Sequence, residues 1–304
     1  MSRSPRTAIA FALTPLLFVL ASCLPGADAV LGPPPFRLQA EGSGLTRLDV
    51  ADVGAPSATF RLVIDVTNPN PVGVRLAVLD GDLYLNDVRA GSVAFADGLD
   101  LPARAHARLA LDVTLDADAF PALTNAFADA LAGRPLRYRL DAQVGIDVLG
   151  AVQRFPRTTL LAGNVASDLR LSPPRLSLER DHSGVQSVSF DRVVISLALR
   201  VHNDGPVGLR VRAPDVRFGL GGREVATLQL PTTSLPAGSS SLLVQELVLN
   251  PVQLGAAIIT ELTRLASGLA AGVELSLRGG WELEVPGLAT RSVEIGELLR
   301  ARLE

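Results

Sequence analysis

Ten residues, Thr67-Asn68-Pro69-Asn70-Pro71-Val72-Gly73-Val74-Arg75-Leu76, return 135 positions later as His202-Asn203-Asp204-Gly205-Pro206-Val207-Gly208-Leu209-Arg210-Val211. An alternating apolar run precedes each of them: Phe60, Leu62, Ile64 and Val66 in the first, Val193, Ile195, Leu197 and Leu199 in the second. Alternation at a period of two marks a half-buried strand, and Asn, Pro, Asp and Gly then halt it at a turn. The repeat continues downstream. Leu101-Pro102-Ala103 matches Leu235-Pro236-Ala237, and Val113-Thr114-Leu115-Asp116 matches Leu247-Val248-Leu249-Asn250, both at an offset of 134, so one residue has been lost in a loop. A period of this length is domain-sized and predicts tandem domains rather than a solenoid.

Within each copy the pattern reads as about seven strands and one helix. In the first copy, strands are predicted at 45–53, 59–67, 72–79 and 82–85, with Asp80-Gly81 as a turn, then at 89–95 and 107–116. A helix over 119–132 follows, its stripe made of Phe120, Leu123, Phe127, Ala130 and Leu131, with Asp118 as N-cap, Pro121 in the first turn and Gly133 as stop. The second helix starts at Asn250-Pro251, where Gln253 completes a capping box, and carries Leu254, Ile258, Leu262, Leu265 and Leu269. Strands at 136–148 and 155–161 close the first copy, and strands at 273–285 and 289–295 close the second. Residues 294–304 read as a short charged helix. Short strands with frequent turn signals predict a mainly β chain, two tandem β-sandwiches each covered by one α-helix. With 48% hydrophobic and 19% charged residues the chain can fill two cores, built from Leu, Val and Ala because aromatics are only 4%. The boundary falls at 162–174, marked by Gly163, Asn164 and Pro173-Pro174, giving domains at 36–163 and 171–304.

The alternating strand, the Asn68-Pro69-Asn70-Pro71 turn, the Leu-Pro-Ala turn and the single helix together resemble the WHy (water stress and hypersensitive response) domain of the group-2 late embryogenesis abundant, desiccation-related proteins. The resemblance covers most of 36–163 and, more loosely, 171–297, where Asn203-Asp204-Gly205-Pro206 keeps a turn but loses the first proline. It implies a fibronectin-III/immunoglobulin-like sandwich carrying one helix.

The N-terminus gives an address. Arg3 and Arg6 precede the apolar stretch 8–20, which is too short to span a bilayer and reads as a signal-peptide core. Leu20-Ala21-Ser22-Cys23 then resembles the bacterial lipobox, which implies cleavage after residue 22 and acylation of Cys23, the only cysteine in the chain. Residues 1–22 are therefore the expected lipoprotein signal peptide, and 23–35, with Pro33-Pro34-Pro35, the lipidated Cys and a Pro-rich tether. The expected location is the bacterial cell envelope, anchored by lipid to a membrane and facing outside the cytoplasm. Loss of Arg3 and Arg6 with the leader moves the net charge from −3 to −5. An acidic chain without basic runs is a poor partner for nucleic acid.

Sites of chemistry are sparse. His106, His182 and His202 have no metal-ligand spacing among themselves or with Cys23. Asp80-Gly81-Asp82 and Asp116-Ala117-Asp118 do not continue into a calcium loop, and Gly219-Leu220-Gly221-Gly222 reads as a hairpin rather than a phosphate loop. No enzyme, metal or cofactor is expected. The Asn68, Pro69, Asn70, Pro71 turn and its counterpart at Asn203 and Pro206 read as strand-ending corners, with exposed recognition as the other reading; loss of one such Asn side chain is expected to cost about 1 kcal/mol. The expected role is protection against desiccation or osmotic stress through low-specificity contact with membrane or stress-labile client proteins. The alternative is a hydrophobic-ligand-binding or adaptor lipoprotein of an envelope complex.

Overall fold

In the computed structural model, residues 32–303 are described, apart from 51–54, 168, 270 and 271. The leader, Cys23 and residues 24–31 of the tether lie outside the described residues. In the strand β3 (Ser57–Thr67), Phe60, Leu62, Ile64 and Val66 are fully buried while Arg61 is exposed, the alternation expected of one face on a core. One edge of β3 pairs with β1 (Phe36–Leu38) and β2 (Gly44–Asp49), the other with β7 (His106–Thr114). The second sheet holds β4 (Val74–Leu85), β5 (Val88–Phe95), β6 (Leu99–Leu101), β8 (Leu136–Val148), β9 (Ala151–Arg154) and β10 (Thr158–Val165), in the order β10-β8-β4-β5 with β6 beside β4 and β9 beside β8.

The second half repeats this plan. β13 (Val193–His202) is flanked by β11 (Arg175–Leu178) and β12 (Gly184–Val188) on one edge and β16 (Ser240–Leu249) on the other. Its facing sheet runs β15-β14-β17-β18, with β14 (Leu209–Leu220), β15 (Arg223–Leu235), β17 (Val273–Val285) and β18 (Ala289–Leu303). The registers repeat as well: Thr67 pairs with His106 as His202 pairs with Ser240, and Arg75 with Asp147 as Arg210 with Glu284. The architecture is mainly β, in antiparallel sheets packed as sandwiches.

The first helix, α1 (Phe120–Leu131), follows a 3-10 turn at Ala117–Ala119. Phe120, Leu123, Phe127 and Ala130 are buried, and Phe120 and Phe127 pack ring on ring at 5.0 Å. Burial of Leu or Phe side chains contributes roughly 1.5–3 kcal/mol each, so this stripe holds the helix on the sheets far more firmly than its caps do. Gly133, at φ +72°, ends it.

Several boundaries differ from the sequence expectation. Asp80-Gly81 is no turn: it lies inside the continuous β4, because a Cβ at Gly81 would collide with Ala142 on β8. The chain reverses at Asn86-Asp87, both at positive φ, a two-residue hairpin closed by the Leu85–Val88 pair. Asp118 makes no cap hydrogen bond and sits in the 3-10 turn, with Ala119 at the N-cap position. The second helix is broken: Asn250 does cap α2 (Pro251–Leu254), accepting from the Val252 N–H at 2.9 Å, but Gly255 at φ +80° interrupts it before α3 (Ala256–Ala266). Leu254, Ile258, Leu262 and Leu265 are buried as expected, whereas Leu269 lies beyond the helix and is exposed. Residues 294–303 extend β18 instead of forming a helix, since this segment pairs with β17 along one edge as far as Leu303. The Gly219–Gly222 region is the expected hairpin, with Gly221 and Gly222 at positive φ between β14 and β15.

Candidate functional site: the two strand-ending turns

Asn68 ends β3 and is fully buried. Its Nδ2 donates to the carbonyls of Val72, Leu101 and Pro102 at 2.8, 2.9 and 3.0 Å, and its Oδ1 accepts from the Asn70 N–H at 2.9 Å. Asn203 does the same in the second half, donating to Val207, Leu235 and Pro236 at 2.8, 3.1 and 3.2 Å and accepting from the Gly205 N–H at 3.1 Å. One carboxamide thus ties together the two motifs that repeat in the sequence, the turn after the strand and the Leu-Pro-Ala turn. Only an amide can do it, because the site needs two N–H donors and one acceptor on one short side chain.

The rest of each turn diverges. In the first, Asn70 is buried and clasps the backbone of Gly32, accepting from its N–H at 3.0 Å and donating to its carbonyl at 3.4 Å. Its counterpart Gly205 has no side chain to do this, and the Cβ that Gly205 lacks would lie 3.8 Å from Ser172. Pro69 gives way to Asp204, whose carboxylate is hydrogen-bonded by Arg175; that guanidinium holds the carboxyl below its ordinary range. Pro71 and Pro206 stand at matching places and precede Val-Gly in both copies.

The second turn is a contact point between the halves. Leu48 on β2 donates its N–H to the Pro206 carbonyl at 3.0 Å and accepts from the Gly208 N–H at 2.8 Å, a parallel bridge to Val207. The Asp49 carboxylate accepts from the Ala237 N–H at 3.2 Å, while Arg47 donates to the Ala237 carbonyl at 3.0 Å. Gly208 must be glycine, since a Cβ there would collide with the Asp49 carboxylate. Sequence reading missed Arg47, Leu48 and Asp49. The available signal was that Pro-Val-Gly and Leu-Pro-Ala persist in both copies while the residues between Asn and Pro do not.

The remaining candidates lie apart. His106 and His182 are exposed; His202 is half-buried, its Nε2 3.0 Å from the Ser177 hydroxyl. Asp82 is engaged by Arg89 and Arg157, Asp116 by Arg89. Among the described residues no group of three His, Cys, Asp or Glu side chains is placed to hold a metal ion, and no helix is long and apolar enough to cross a membrane.

Residues 63–156 match the model of the late embryogenesis abundant protein family, LEA_2, which supports that family for the stretch from the middle of β3 to just past β9. No curated protein matches the chain. Solved structures align with it only distantly. A protein from Archaeoglobus fulgidus is 11% identical over 46% of this chain and 98% of its own, at a TM-score of 0.28. Red sea bream transglutaminase is 10% identical over 89% of this chain and 32% of its own, also at 0.28. An adhesin from Mobiluncus mulieris is 9% identical over 84% of this chain and 82% of its own, at 0.25. Likeness at this level carries no functional argument.

Proposed function

We propose that this is a non-enzymatic, lipid-anchored envelope protein made of two tandem WHy-type domains, which protects proteins or membrane surface when water is withdrawn. The family match of residues 63–156 carries this reading, since late embryogenesis abundant proteins answer to the stress role that the turn motif also implies. The second half extends it through the repeated strand registers and the second Asn-centred turn. The address rests on Cys23 and the apolar leader before it.

A surface suited to low-specificity contact is present on β16. Its outward face carries Leu242, Val244, Glu246 and Val248, with the three apolar side chains 42%, 64% and 63% exposed. The matching positions on β7 are Arg108, Ala110 and Thr114, and there Arg108 pairs with Asp65. Exposed apolar side chains in a row broken only by Glu246 suit weak, low-specificity contact. Drying a labile enzyme with the full chain tests the reading. The folded chain should preserve its activity, the heat-unfolded chain should not, and Val244→Arg with Val248→Arg should reduce protection without moving the melt. Equal protection by an unrelated folded protein at the same concentration would overturn it.

A further inference from the structure

The socket that the second turn offers to β2 exists twice. Pro71, Val72 and Gly73 stand in the first half where Pro206, Val207 and Gly208 stand in the second, and Leu101-Pro102-Ala103 where Leu235-Pro236-Ala237 does. The same Asn carboxamide holds both together. In the second half Val207, Gly208 and Ala237 are buried, with β2 of the first half bound to them. In the first half Val72, Gly73 and Ala103 are exposed, Val72 by 42%. Among the described residues the Gly73 and Ala103 N–H groups make no hydrogen bond, although their counterparts donate to the Leu48 carbonyl and the Asp49 carboxylate. A groove runs on from this empty socket between Gly73, Leu101, Pro102 and the tip of the β8–β9 hairpin, where Leu149 is fully exposed at φ +54°. A leucine at a left-handed hairpin tip contributes nothing to the fold at that place.

We propose that the first turn is a strand-docking site for an extended segment of another protein, with a basic and an acidic residue on either side of one strand residue. The occupied socket supplies the pattern. The central residue gives its N–H to the Pro71 carbonyl and takes the Gly73 N–H, the acidic side chain accepts from the Ala103 N–H, and the basic side chain donates to the Ala103 carbonyl. Main-chain pairing gives affinity in such strand addition and the flanking side chains give selectivity. A second copy of this chain is a poor occupant. Its Arg47-Leu48-Asp49 is already engaged in cis, and β12, the counterpart of β2, reads Ser187-Val188-Ser189 with neither charge. Its other runs of this kind are Arg139-Leu140-Asp141, in β8, which is paired on both edges, and Arg302-Leu303-Glu304, whose Leu303 is buried and paired with Val273 of β17.

The inference does not rest on the protective role, and its test does not use it. A fluorescent peptide with the sequence of residues 43–50 is titrated into the full chain and followed by anisotropy. Saturable binding is expected, weakened about tenfold or more when the peptide carries Asp49→Ala, the usual loss for a charge-assisted hydrogen bond. Gly73→Val in the protein should abolish it. That substitution leaves the fold intact, because a Cβ at 73 meets nothing nearer than 3.9 Å, whereas it occupies the space the docked carboxylate needs. An unchanged melt for Gly73→Val confirms the control. Absence of saturable binding at millimolar peptide, or binding indifferent to Gly73→Val, overturns the proposal.

Discussion

Replacing Asn203 by Ala should destabilise the protein more than replacing Asn68, although the two side chains make the same four hydrogen bonds. A buried carbonyl left without a donor costs about 1.5–2 kcal/mol, and each of the amide's other hydrogen bonds, which water replaces in the variant, about 0.5 kcal/mol. At Asn68, the Leu101 carbonyl is the buried partner, while the Val72 and Pro102 carbonyls belong to exposed residues and can take water instead. At Asn203, both the Val207 and the Leu235 carbonyls are buried, because the first half covers Val207. About 3 kcal/mol for Asn68→Ala and about 4–5 kcal/mol for Asn203→Ala follow, both well above the cost of an exposed turn cap. With a urea slope near 2 kcal/mol/M, the midpoints should fall by about 1.5 M and about 2–2.5 M. Urea melts of the two variants, read by tryptophan emission and by circular dichroism, measure this. Shifts below about 0.5 M, or the reverse order, would refute the view that the amide is a buried tie between two turns.

Cys23→Ala should release the protein from the membrane fraction, and mass spectrometry showing an unmodified Cys23 in the wild-type mature chain would refute the lipobox reading. Trp281 is buried with its indole N–H unpaired among the described residues. Trp281→Phe removes that orphan donor, so a thermal melt should show less than about 1 kcal/mol of loss in spite of the smaller ring. Arg61, hydrogen-bonded to Asp112, holds that carboxyl below its ordinary range. A depressed carboxylate stabilises above its unfolded pKa of about 3.9 and loses that contribution as pH falls through the lower folded value. Asp112→Asn should therefore lower stability slightly at pH 7, with the difference from the wild type fading as pH falls below about 4, and a deficit that persisted unchanged in acid would count against the pair.

The strands were legible because one face of each lies on a core, so Phe60 to Val66 alternate in burial, and so do Val193 to Leu199 apart from the small, buried Ala198. The helices were legible in position but not in continuity. Asn250-Pro251 announced a start, yet Gly255, which looks like any tolerated helical glycine in sequence, sits at a φ that ends the first turn. Asp80-Gly81 misled for a related reason. Glycine serves turns and close approaches alike, and only the position of Ala142 on the neighbouring strand says which is meant. The charged run 294–303 failed because its polar residues belong to the outward faces of a paired strand, where charge is compatible with β structure. In the turns, the importance of Asn68 and Asn203 was readable from their recurrence. The plug of Arg47, Leu48 and Asp49 was not, since it lies about 160 residues from its socket and is absent from the other copy.

What the two copies keep and what they change follow one rule. Residues whose contacts close within a copy persist: the Asn that ties the turns and the Leu-Pro whose carbonyls it holds. Residues that meet something outside the copy differ. Asn70 meets the incoming chain at Gly32, and Gly205 does not. The outer face of β7 and its neighbour β3 carries Arg61–Asp112 and Arg108–Asp65 pairs, a charged edge of the kind that discourages further strand pairing. The matching face of β16 carries Leu242, Val244 and Val248. Pro-Val-Gly therefore presents a test of the rule itself. In the second copy it is an external contact, yet it is retained in the first, where nothing among the described residues covers it. Beyond the Val72 carbonyl that Asn68 holds, the outer side of this turn is uncovered; its retention is what an external partner would produce, and the first turn is where such a partner should be sought.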